Sequence, residues 1–100
     1  MELMTFVMMI ERTESYNKIN QAMVDKHIAF IRKLDDEDRL ILCGSTKGYP
    51  GVAGMIVFKA EDLNKAKALC RTEPFVAEGY ASFRIFSLRV GNKANNYLQK

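Results

Sequence analysis

The chain has 100 residues, 48% of them hydrophobic and 27% charged, with a formal net charge of +3. That length supports one domain with a modest core, and the composition excludes a disordered chain. Lysines and arginines are interleaved with acids, so the mild positive charge describes a solvated surface, not the one-sided basic footprint of a nucleic-acid binder.

Residues 3 to 10 (LMTFVMMI) are continuously apolar, which predicts a strand covered on both faces. The run is too short to span a bilayer and lacks the basic flank of a signal peptide, so no membrane association is expected and the cytoplasm is the expected location. Residues 17 to 35 change to helical period, with Tyr16, Ile19, Met23, Phe30, Ile31 and Leu34 on one stripe and Ser15 or Asn17 as the cap. The acids from Asp35 to Asp38 oppose the helix dipole at its C-terminal end and predict a stop, with Asp38 taking the left-handed turn.

RLILCG is a second predicted strand, the glycine-rich STKGYPGVAG a loop, and MIVFKA a third strand. Glu61 and Asp62 suit the N-terminus of a second helix, whose stripe is Leu63, Ala66, Leu69 and Cys70. Pro74 must break that helix, and PFVAEG fits a single turn closed by Gly79. In YASFRIFSLRV the alternation slips between Ile85 and Phe86, which predicts a bulge or a strand packed on both sides. Residues 91 to 100 are expected to be a polar tail after a single domain spanning 1 to 90. Cys43 and Cys70 have no metal or redox spacing and are expected to be reduced, as small core residues.

The order βαββαβ predicts an α+β, ferredoxin-like domain: a four-stranded antiparallel sheet with both helices on one face. Strand one is apolar on both sides, so the other sheet face needs cover. A second copy packed sheet to sheet supplies it, and a homodimer is expected. Such folds host many activities, and function must come from a site. RNA binding would need stacking aromatics, of which the third strand offers only Phe58; GSTKGYPG lacks the spacing of a phosphate loop, and no zinc or dinucleotide motif is present. No cofactor, metal or nucleic-acid partner is therefore expected.

His27, the only histidine, falls in the middle of the first helix's apolar stripe. Two readings stand: a core histidine bonded to a backbone carbonyl, or one half of a polar pair, since a buried imidazole nitrogen without a partner is costly. Glu73 stands at the chain reversal beside Pro74.

HIAFIRKL, DRLILCGS, the glycine-rich loop and AEDLNKAKALCRTEPFVAEGY occur in the order and spacing of the YCII-related (YciI-like) family, which the chain resembles from strand one to about Val90. The resemblance implies a dimeric α+β barrel fold. It also implies that His27 occupies the family's helix-one histidine position, and that Glu73-Pro74-Phe75 with Gly79 occupies its Asp-Pro-aromatic turn. His27 and Glu73 are then the polar pair of a candidate catalytic site. Glutamate replaces the family's aspartate, and Ser45 stands where the family has a turn proline. The resemblance points to lyase, isomerase or dehydrohalogenase chemistry on a small cyclic or aromatic molecule, with no cofactor. Met23, Phe30, Ser45, Tyr49 and Phe75 are the expected substrate-binding residues. The alternative is a non-catalytic ligand-binding or dimerisation module of the same fold.

Overall fold

The computed structural model describes residues 2–47 and 50–99. Its elements are β1 (Met4–Arg12), α1 (Gln21–Asp36), β2 (Leu40–Ser45), β3 (Val52–Ala60), α2 (Leu63–Thr72), the one-turn α3 (Pro74–Ala77) and β4 (Ala81–Leu88). The strands form one antiparallel sheet in the order β2-β3-β1-β4. The fold is the ferredoxin-like α+β arrangement. None of the described helices is long and apolar enough to cross a membrane.

Strand alternation sends Phe6, Met8 and Ile10 of β1 and Ile56 and Phe58 of β3 into the core under the helices, where they are buried. The Phe6 and Phe58 rings, paired across the strands, sit 6.1 Å apart. From the helices, Met23, Leu34, Ala66 and Cys70 complete the core.

Chain termini of the helices follow their side chains. α1 starts at Gln21, four residues later than the predicted start, because Asn20 caps it by accepting from the Met23 N–H at 3.0 Å. Tyr16–Lys18 form a separate 3₁₀ turn, and Ser15 makes no side-chain cap bond. At the other end Asp38 is left-handed (φ 57°), while Arg39 N–H reaches Leu34 O and Asp38 N–H reaches Asp35 O. This is a Schellman closure with aspartate in the usual glycine place. The same closure ends α3: Gly79 has φ 82°, Tyr80 N–H donates to Phe75 O, and Gly79 N–H to Val76 O.

The expected bulge in β4 is absent: its pairing with β1 runs unbroken from Arg12 opposite Ala81 to Thr5 opposite Leu88. Instead β4 is apolar on both faces. Phe83 and Ile85 pack on the core, while Phe86 and Leu88 lie on the open face with Val7 and Met9 of β1 and Met55 and Val57 of β3. Register shifts occur at Ile10/Glu11 against β3 and at Leu40/Leu42 of β2. Residues 93–98, expected as a plain tail, wind into a tight irregular turn.

Candidate active site

Glu73 is the hinge between α2 and α3. Its N–H bonds Cys70 O at the end of α2, and its carbonyl accepts from Ala77 N–H in α3. Pro74 takes the first position of α3, where its missing N–H is no loss. With the backbone turned this way, the side chain folds back as the cap of α3: Oε1 accepts the Val76 N–H at 3.0 Å. The other oxygen, Oε2, lies 2.7 Å from Nδ1 of His27. Glu73 is fully buried, the one charged side chain in the described core, and both its oxygens are occupied.

An ionised carboxylate only accepts hydrogen bonds, so when Glu73 is ionised and the imidazole neutral, the 2.7 Å contact puts the proton on Nδ1, which donates to Glu73. Nε2 then carries the lone pair. Phe75 holds the ring from its flat side: the imidazole and phenyl centroids are 4.4 Å apart at 8°, a parallel stack. Tyr16 meets Phe75 edge-on at 6.2 Å, and the Arg12 guanidinium lies over Tyr16. With Nδ1 tied and one face covered, the imidazole has little freedom to rotate.

His27 faces a cleft of about 380 Å³ between α1 and the edge strand β2, and its side chain is 19% exposed. Val24, Ile28 and Ile31 of α1 form one wall, Cys43 and Ser45 of β2 the other, and Ile10 and Ile56 the floor. Gly54 belongs to this floor for a steric reason: a Cβ there would stand 2.5 Å from Gly44 O, where β2 crosses close. The lining is largely apolar, with few polar groups, as in pockets for small organic molecules. Among the described residues no Lys or Arg lines the cleft. Nor do three His, Cys, Asp or Glu side chains converge as metal ligands.

Of the residues singled out by sequence, His27, Glu73, Phe75 and Ser45 converge here. Met23 and Phe30 do not. Met23 points into the core, and Phe30 lines a shallow groove beside Lys33 and Leu69. The helix stripe has two flanks, and His27 lies at their boundary, so its cleft neighbours are Val24, Ile28 and Ile31 instead. Phe75 is buried behind the imidazole more than it is presented to a ligand. Tyr49 lies outside the described residues. Cys43 was missed as a lining residue and is exposed, not core; its place two residues before Ser45, on the same side of β2, was the available signal. Cys70 does behave as a core residue, and burial pushes its thiol up to about 12.

Fold and site together define a ferredoxin-like α+β domain with a buried carboxylate–imidazole pair at the mouth of an apolar cleft. The model of the YCII-related domain matches residues 4–89, and the chain belongs to that family. It is 33% identical over 81 residues to the uncharacterized protein YjpA of Bacillus subtilis (strain 168), covering 81% of this chain and 89% of that protein. Among solved structures it is similar to 5-chloro-2-hydroxyhydroquinone dehydrochlorinase (TftG) from Burkholderia phenoliruptrix AC1100, in complex with 2,5-dihydroxybenzoquinone. The TM-score is 0.73 at 15% identity, over 93% of this chain and 100% of that one, a likeness of fold.

Proposed function

We propose that the protein is a cytoplasmic, cofactor-independent acid–base enzyme acting on a small cyclic or aromatic molecule, with His27 as the base and Glu73 as its orienting partner. The observation that carries this is the 2.7 Å bond between a fully buried carboxylate and Nδ1, which leaves Nε2 as the nitrogen for the cleft. Nε2 takes a proton from a C–H or O–H of the bound molecule. The imidazolium so formed keeps its Nδ1–H on Glu73, and the buried negative charge balances it. In an elimination, the C–H electron pair becomes the new double bond and the leaving group departs with its own pair. TftG, a dehydrochlorinase by name, supports this reaction class as one the fold can host. The cleft's apolar walls, with no Lys or Arg among the described lining residues, suit a neutral monocyclic compound over a carboxylate or phosphate.

The reading includes a homodimer packed through the open sheet face, burying more than about 1,000 Å². Phe86, Leu88 and Leu42 are each roughly half exposed on that face, which leaves an apolar surface without cover in the single chain.

The test is turnover of a panel of small cyclic carbon acids, chlorinated hydroquinones among them, by the wild type and by His27→Gln. Turnover that falls by about 10²–10⁴-fold in the variant supports the base. Binding that is lost in the variant, with no turnover in either protein, would make the site a binding module.

A further inference from the structure

We propose that residues 91–99 form an arm that docks on a second copy of this chain, with Tyr97 and Leu98 as its gripping side chains. The inference rests on the dimer reading above and goes beyond it, because it assigns the segment outside the sheet.

The apolar stripe of the open face does not stop where β4 ends. Phe86, Leu88 and Val90 alternate along one side of the strand and its continuation, and they are 48%, 42% and 47% exposed. Past Val90 the chain closes into a turn held by its own asparagines. Asn92 and Asn95 cap each other reciprocally, Asn95 Nδ2 donates to Val90 O at 2.8 Å, and Tyr97 N–H donates to Asn92 O at 2.8 Å. Among the described residues, every hydrogen bond made by 91–99 ends within residues 90–99. The turn is built, yet no hydrogen bond attaches it to the body of its own domain.

Its backbone is costly. Asn96, Tyr97 and Leu98 are left-handed in succession, with φ of 52°, 55° and 72°. Asparagine tolerates this conformation; tyrosine and leucine do so poorly, because Cβ crowds the following carbonyl. The outcome of holding it is that Tyr97 and Leu98 face outward, 65% and 40% exposed. An ordered turn that displays two large apolar side chains, and that no hydrogen bond among the described residues ties to its own sheet or helices, is shaped for a surface elsewhere.

A second copy fits that surface best. The arm continues the same stripe that the sheet-to-sheet contact covers, so a two-fold pairing brings each arm against its partner. The arms extend the contact beyond the flat face, past the edge of the four paired strands. A radius of gyration of 14.4 Å, against about 13 Å for a compact chain of this length, agrees with a projecting segment.

The experiment is sedimentation equilibrium of the full chain as wild type, as the double variant Tyr97→Ser/Leu98→Ser, and as Phe86→Glu, with circular dichroism to verify folding. The expected result is a wild-type dimer, a Kd at least ten-fold weaker in the double variant, and loss of the dimer in Phe86→Glu. A double variant that dimerises with wild-type affinity would overturn the arm while leaving the sheet-face dimer intact. A monomeric wild type, or a Phe86→Glu protein with unchanged Kd, would overturn the sheet-face reading and the arm with it.

Discussion

Glu73→Gln removes one charge from a fully buried side chain and keeps its shape, which isolates what the carboxylate does. In the native site its two oxygens accept two hydrogen bonds, from Val76 N–H and from His27 Nδ1. An amide has only one oxygen. If that oxygen keeps the cap, the NH₂ faces Nδ1, which must then become an acceptor, and the proton moves to Nε2. If the oxygen stays with Nδ1, the NH₂ confronts the Val76 N–H and leaves a buried donor unpaired. In the first arrangement both contacts survive but the amide's second N–H is buried without a partner; in the second the Val76 N–H is, and such an unsatisfied group costs about 1–3 kcal/mol. For a domain of this size, at about 4–8 °C per kcal/mol, the melting temperature should fall by roughly 5–20 °C. In the first arrangement the base is also in the wrong tautomer, so turnover should drop by about 10²–10⁴-fold. The assays are calorimetry and turnover on whichever panel compound the wild type accepts. A variant with wild-type melting and wild-type turnover would refute the reasoning, because the short contact would then carry neither the fold nor the base.

Gly54→Ala should destabilise the domain by about 1–3 kcal/mol, because its Cβ meets backbone and not a yielding side chain, and urea unfolding would measure it. A thiol reagent at pH 8 should label the exposed Cys43 quickly and leave Cys70 untouched in the native protein, since burial raises Cys70 to about 12; equal labelling of both would contradict the packing. Arg39, whose Nη1 lies 2.6 Å from Glu61 Oε1, and Lys65 hold the Glu61 carboxyl below its usual 4.5. A lowered folded-state value stabilises above the unfolded pKa and is lost as pH falls through the folded one. Glu61→Gln should therefore be slightly less stable than wild type at pH 7, a difference that vanishes in strong acid; a constant gap across that range would count against it.

Much of the fold was legible because local chemistry and global arrangement agree. Pro74 had to end α2, Gly79 had to close the turn after it, and the acids after Leu34 had to end α1; all three places carry a single physical option. The start of α1 was less legible: Ser15 or Asn17 was the expected cap, whereas Asn20 caps the helix by accepting from the Met23 N–H, after a separate 3₁₀ turn at Tyr16–Lys18. The site was half legible. Helical spacing put His27 on an apolar stripe, but it could not say where the core flank ends and the cleft flank begins. That boundary depends on β2 being an edge strand, which is a property of sheet order and lies outside the helix. So Met23 and Phe30 were expected at the cleft, and Val24, Ile28 and Ile31 took their place. The pairing of Glu73 with His27, separated by 46 positions, came from the family resemblance; composition and periodicity had no means of showing it.

The central claim is that Glu73 fixes the tautomer of His27 and so leaves Nε2 as a base. The chain holds one histidine, so a ¹⁵N spectrum of histidine-labelled protein, taken at a pH where the imidazole is neutral, reports this site alone. The account predicts a protonated, pyrrole-type Nδ1 and an unprotonated, pyridine-type Nε2. A protonated Nε2 beside an unprotonated Nδ1, or a freely exchanging mixture of the two, would contradict it.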